Sequence, residues 1–131
     1  VVDTNVLLSA LYSNKGASYK LLSMIDSDRF VLNISTTLVY EYEEILKIKS
    51  KLETKYIDSI LNYICKIGKK NKIFYLWRPK LKDADDDFLL ELAVASNSII
   101  VTLNEKDFEV AGEFNVQVMT PKEFLQYIGE I

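Results

Sequence analysis

The sequence predicts an α/β fold, a three-layer α/β/α arrangement around a central, mostly parallel sheet of about five strands. Two observations predict it. Short apolar runs alternate with helical patterns from one end of the chain to the other, so strands are separated by crossover-length helices. The run Ser98-Ile99-Ile100-Val101-Thr102 is β-branched almost throughout, as befits a strand covered on both faces.

The elements follow in order. Val1 to Asp3 reads as a strand end, followed by a short helix through Val6-Leu7-Leu8. A helix around Ala17 to Ile25 leads into the strand Phe30-Val31-Leu32-Asn33-Ile34, after which Ser35 caps a helix running to about Lys49. A second amphipathic helix covers roughly Thr54 to Ile67, with Tyr56, Ile60, Tyr63, Ile64 and Ile67 on one face. Ile73-Phe74-Tyr75-Leu76 reads as a strand that Arg78-Pro79 breaks. The acidic run from Asp83 opens a helix through Ala95, followed by the buried strand Ser98 to Thr102. A short helix near Lys106 and a strand Val116 to Met119 come next. Thr120-Pro121-Lys122-Glu123 is a capping box with proline at the first helical position, so the last helix starts there. At 131 residues this is a single domain, 1–131. The chain opens inside a strand without a methionine, so the first few residues are expected to be missing.

Composition excludes whole classes of chemistry. There is no histidine, hence no Ser-His-Asp or Cys-His machinery and no histidine general base. One cysteine, Cys65, forms no internal disulfide, suits a reducing cytoplasm and cannot build an ordinary zinc site. No glycine pattern makes a phosphate-binding loop, and no apolar run approaches the ~20 residues of a membrane span. Oxygen ligands around a hard cation are the strong chemistry that remains. Net charge is −3 but uneven: residues 47–82 carry eleven bases against two acids, and both flanks are acidic. A basic middle between acidic ends suggests a phosphate-tracking surface beside an acidic site, although a solvated helical pair explains it as simply.

The acids that could form such a site are spread along the chain. Asp3 stands at a strand's carboxyl end, where open α/β sheets place their chemistry; a helix cap shared with Thr4 or Asn5 is the plainer reading. On the helix after Ser35, the apolar stripe Leu38, Tyr42, Ile45 and Leu46 puts Glu41 about 85° from its centre, Glu43 about 115° and Glu44 about 145°. Glu41 therefore lies nearest the buried edge, where a carboxylate needs compensation. Asp83, Asp85, Asp86 and Asp87 exceed what a cap and helix dipole require, and a bound cation would relieve their repulsion. Glu91 is alone in an otherwise apolar helix. Beyond the buried strand, Asp107 could cap or bind, while Thr102 and Asn104 could supply neutral oxygens or position water.

Together these segments resemble the PIN-domain family, nucleases related in fold to flap endonucleases. The resemblance rests on Val2-Asp3-Thr4-Asn5-Val6-Leu7-Leu8-Ser9-Ala10-Leu11 and on Ser35, Leu38, Glu41-Tyr42-Glu43 and Leu46. It continues through Asp83-Ala84-Asp85-Asp86-Asp87, Leu90-Glu91-Leu92-Ala93, Val101-Thr102-Leu103-Asn104, Asp107-Phe108 and Thr120 to Leu125. It looks most like the VapC-like branch of toxin components of toxin–antitoxin pairs. It implies a metal-dependent ribonuclease using Mg²⁺ or Mn²⁺, with Asp3, Glu41 and Asp86 as the main ligand carboxylates. The resemblance selects Asp86 because it lies seven residues before Ala93, as the family's third acid precedes its helix alanine. Many members have an acid where Asn104 stands, so Asp107 is the candidate fourth ligand.

The implied chemistry is attack of an activated water on phosphorus, leaving 5′-phosphate and 3′-hydroxyl ends, with Thr4, Asn5, Thr102 and Asn104 in support. Lys47, Lys49 and Lys51 would guide the RNA backbone toward the acids. The resemblance also implies a small antitoxin as partner and a homodimer. Asn104 motivates an alternative, a catalytically weak PIN scaffold binding RNA or protein. Other doubly wound aspartate proteins fit less well. A haloacid-dehalogenase-type phosphatase expects a second Asp where Asn5 stands, and a receiver domain expects an N-terminal acidic pair that is not here.

Overall fold

The computed structural model describes residues 1–72 and 87–131. Six α-helices run through them: α1 Thr4–Tyr12, α2 Ala17–Ser23, α3 Thr36–Lys49, α4 Thr54–Ile67, α5 Asp87–Ser96 and α6 Pro121–Tyr127. Four short strands accompany these: β1 Asn33–Ile34, β2 Lys69–Lys70, β3 Ile100–Val101 and β4 Val118–Met119. A 3-10 segment, Glu105–Phe114, bends at Phe108 and takes the place of the short helix expected near Lys106.

All strand pairing among the described residues is parallel. β1 pairs with β2, β3 pairs with β4, and Val2 bridges to Val101 on the other side of β3. The Asp3 N–H donates to the Val101 carbonyl at 2.9 Å, and the Val101 N–H to the Val1 carbonyl at 2.8 Å. Val1 to Asp3, β3 and β4 therefore lie side by side, and an Asn33 Nδ2 bond to Ser98 Oγ at 2.8 Å ties β1 to the start of β3. Parallel pairs joined through helices make this an α/β fold. The described residues form these two separate ladders rather than one sheet of about five strands, and the expected strand Ile73 to Leu76 lies outside them.

The strands are shorter than their apolar runs suggest, and β1 shows why. Phe30 stacks edge-on against Phe124 of α6, with ring centroids 5.3 Å apart, while Val31 is 64% exposed. Two of the five expected strand residues thus pack or face water instead of pairing.

Helix starts follow their caps. The Leu38 N–H donates to Ser35 Oγ at 3.2 Å, and both bonds of the Thr120–Glu123 capping box are made. α5 is buried nearly all round through Leu89, Leu90, Leu92 and Ala93, so it is the central helix. Glu91 is buried in its middle and engaged there. On α4 the buried face is Ile57, Leu61 and Ile64, whereas Tyr56, Tyr63 and Ile67 are exposed. The inward face is turned by about one residue from the expected one, because tyrosine tolerates water at its hydroxyl end and isoleucine at 57 does not. Gly68 closes α4 where a Cβ would come within 2.8 Å of the Ile64 carbonyl oxygen and 3.0 Å of Ile34, so β1 can pass close by.

Candidate functional site

The site is built where the chain leaves Val1–Asp3 and β3. Asp3 occupies the N-cap position of α1 but closes no side-chain capping bond. Its Oδ2 instead accepts from the Thr102 hydroxyl at 2.7 Å. Thr102 is fully buried and acts as a junction: its Oγ1 also accepts from the Asn104 N–H at 3.1 Å and from Asn5 Nδ2 at 3.4 Å. Asn5 Oδ1 takes the Leu103 N–H at 3.2 Å. The turns that follow two adjacent parallel strands are thus fastened together around one carboxylate.

Asp3 is only 8% exposed. Burial raises its pKa above the ordinary carboxylate value, and the nearby Asp107 carboxylate pushes the same way. The Thr102 hydroxyl and the N–H groups of Thr4 and Asn5 oppose the rise. The charge of Asp107 thus adds to burial in favouring the neutral form of Asp3. Burial raises the Tyr42 pKa as well, and the charges of Asp3 and Glu41 add to it. Tyr42 stays neutral, fully buried, and donates to the Val2 carbonyl.

Glu41 reaches the same place from α3. Its Oε2 accepts from the Thr4 hydroxyl at 2.6 Å, on the first residue of α1. A second bond, from the Tyr12 hydroxyl to the Lys49 carbonyl at 2.6 Å, has the same sequence separation of 37 residues. Two equal offsets, one at each end of α1, mean that α1 and α3 run parallel in fixed register. Lys49 consequently stands about 12 Å along the α3 axis from Glu41.

Asp3, Glu41 and Asp107 therefore belong to one neighbourhood, with Thr4, Asn5 and Thr102 holding it in place. Asn104 is exposed and contributes its backbone N–H to the Thr102 junction. Asp86 lies outside the described residues, as do Asp83 and Asp85. Among the described residues no group of three or more His, Cys, Asp or Glu stands close enough to hold a metal ion. The donor set present is nevertheless all oxygen and acid-rich, with Asp3 buried, Glu41 half-buried and Asp107 exposed, which is the chemistry a hard divalent cation takes.

The lysines differ among themselves. Lys47 Nζ is shared between Glu43 at 3.3 Å and Asp58 at 3.2 Å, which clamps α3 to α4, and its pKa rises because of Asp58 and then Glu43. Lys49 and Lys51 are exposed and have no ion pair among the described residues. Sequence reasoning placed Tyr42 on the buried stripe, where it is, but missed its hydroxyl bond to the Val2 carbonyl and the junction role of Thr102. A hydroxyl closing an apolar strand was the available sign for Thr102, since a buried hydroxyl must find a partner.

An α/β protein with a buried aspartate at the carboxyl end of parallel strands, linked to a helical glutamate, belongs to the class whose chemistry lies at that edge. The PIN domain family model matches residues 1–106, and the chain belongs to this family. PIN domains are in general metal-dependent nucleases that bind nucleic acid. The chain is also 25% identical over 139 aligned residues to an uncharacterized protein of Methanocaldococcus jannaschii, covering 96% of this chain and 88% of that one. Among the described residues no helix is long and apolar enough to cross a membrane.

Proposed function

We propose that this chain is a cytoplasmic endoribonuclease dependent on Mg²⁺ or Mn²⁺, the toxin of a type II toxin–antitoxin pair. Residues 1–131 form one PIN domain in this reading, and the two parallel ladders are parts of one five-stranded sheet. Asp3, Glu41, Asp86 and Asp107 are its carboxylates, and a small antitoxin and a second copy of the chain are its protein partners. The observation that carries the reading is the Asp3 arrangement: a buried, hydroxyl-held carboxylate facing a second acid, joined through Thr4 to Glu41.

A divalent cation, when bound, supplies Lewis acidity and lowers the pKa of water. The chain's own residues do the rest. Thr102 and Thr4 each fix one oxygen of a carboxylate, so Asp3 and Glu41 are oriented before anything binds. Asn5 keeps the two strand ends from separating. Lys49 and Lys51 draw the RNA backbone along α3, while Lys47 mainly holds the helical pair.

Cleavage of single-stranded RNA in Mn²⁺ or Mg²⁺, compared between wild type, Asp3→Asn and Asp86→Asn, tests the reading. Activity that survives EDTA or both substitutions would sink it. Growth arrest on induction, relieved by the neighbouring small gene, tests the toxin role; harmless overexpression of active enzyme counts against that role. Asn104 and the exposed Asp107 favour a second reading, a catalytically weak scaffold that binds RNA or protein. RNA binding without any metal-dependent rise in melting temperature would select it.

A further inference from the structure

The structure assigns a nucleotide subsite for single-stranded RNA to a groove at the carboxyl ends of β1 and β2, next to Glu41 on α3. The assignment rests on the RNA reading above. The groove has a volume of about 420 Å³ and is lined by Thr36, Tyr40, Cys65, Lys70, Asn71 and Lys72 among others. That volume falls in the ~300–1,000 Å³ range of small-ligand sites. Its position follows from topology: β1 ends at Ile34 and β2 at Lys70, and the residues that follow each strand form the rim.

Three features give it a chemistry. Tyr40 is 67% exposed, so its ring presents a face to whatever enters. Lys70 and Lys72 are both exposed, and neither has an ion pair among the described residues. Asn71 spends its Nδ2 on Asn33 Oδ1, Ile34 O and Lys69 O, which holds the two strand ends rigid beneath the groove. A base stacks on Tyr40 while its phosphate lies between the two lysines, the pairing of aromatic platform and cation that single strands use. Lysines also guard edge strands against unwanted pairing. That accounts for charge on β2, but not for a concave site with an aromatic wall. Tyr40 and Glu41 are neighbours about 100° apart on one helix, so a strand stacked in the groove continues toward the acid pair.

The chain's single cysteine makes the test direct. In EDTA, an eight-nucleotide 2′-O-methyl RNA is titrated against the whole chain by fluorescence anisotropy, and Cys65 is titrated with a thiol reagent with and without saturating RNA. Tyr40→Ala should weaken binding by roughly five- to a hundredfold, with Tyr40→Phe close to wild type. Lys70→Ala with Lys72→Ala should weaken binding and flatten its salt dependence. RNA should slow Cys65 modification several-fold, whereas a mononucleotide at equal concentration should do so far less. Because Tyr40 is exposed, the melting temperature of Tyr40→Ala should match wild type. Wild-type affinity in Tyr40→Ala, undiminished Cys65 labelling, or equal protection by a mononucleotide would overturn the assignment. Binding needs no metal, so the two readings fail separately. RNA that binds and protects Cys65 but is never cut in Mn²⁺ ends the nuclease reading alone, and cleavage by a Tyr40→Ala enzyme of wild-type affinity ends the subsite alone.

Discussion

The Asp3 neighbourhood and the α3–α4 hairpin are both rich in charge, yet they are built on opposite principles. Around Asp3 the central bond, Thr102 to Asp3, is buried, and half-buried bonds surround it from Asn5 to Thr102 and from Thr4 to Glu41, with an outer one from Leu103 to Asn5. On the hairpin, Lys47, Glu43 and Asp58 meet at the surface, and Lys49, Lys51 and Lys55 stand in solvent. Water can replace any partner on the hairpin but not the Thr102 hydroxyl on buried Asp3. A lost bond is therefore expensive in the first region and nearly silent in the second.

The largest break should come from Asp3→Asn. Under the proposed function it removes a ligand carboxylate and is expected to lower RNA cleavage on the order of a thousandfold, since metal assistance is worth several kcal/mol. The same change should raise the melting temperature without metal, because it removes a buried charge that Asp107 repels. It should also abolish the upward shift that the proposed metal site predicts for wild type in Mn²⁺. Kinetics and paired thermal melts with and without Mn²⁺ check all three; a metal-free melt lower than wild type would contradict the repulsion.

Thr102→Val keeps the shape and removes the junction. It leaves buried Asp3 Oδ2 without its hydroxyl donor and the Asn104 N–H without its acceptor. About 1–3 kcal/mol of stability should be lost in urea unfolding, with cleavage down roughly ten- to a hundredfold. An inert Thr102→Val would show that the two regions do not differ as described.

A third substitution lies between them. Thr120→Ala removes the α6 cap and should cost about 1 kcal/mol. Its partner Glu123 has a pKa lowered by the Thr120 N–H and then the Thr120 hydroxyl. A depressed carboxylate stabilises the fold above its unfolded pKa, and that contribution disappears as pH falls through the folded value. Glu123→Gln should therefore flatten the acid side of the stability–pH curve, its effect shrinking as the pH falls through the lowered folded value. The smallest effect belongs to Lys47→Ala, a melting shift of no more than about 2 °C that shrinks further in high salt.

The same contrast explains what could be read from the residues alone. Helix starts at Ser35 and Thr120 were legible because capping is local chemistry. Glu41 was separable from Glu43 and Glu44 because helical periodicity fixes angles, and it is Glu41 that meets Thr4 while Glu43 meets Lys47. The face of α4 was misjudged because amphipathic tyrosines carry weight on a helical wheel that burial does not honour. The extent of β1 was overestimated because Phe30 could satisfy its ring on Phe124 without pairing its backbone. Thr102 as a junction was hidden for a different reason: its partners are 97 and 99 residues away in sequence. No local pattern encodes such distances.

The fixed register of α1 against α3 also bears on which length changes a lineage can accept. Thr4 with Glu41 and Tyr12 with Lys49 are two fasteners at opposite ends of one helix. An insertion in the exposed turn 13–16 lies outside both and leaves each contact aligned. A single residue inserted in α3 between 41 and 49 would swing one end by about 100° and pull a fastener away from its mate. Drift in chain length should therefore collect in the turns and spare the stretch of α3 that joins the acid to the lysines.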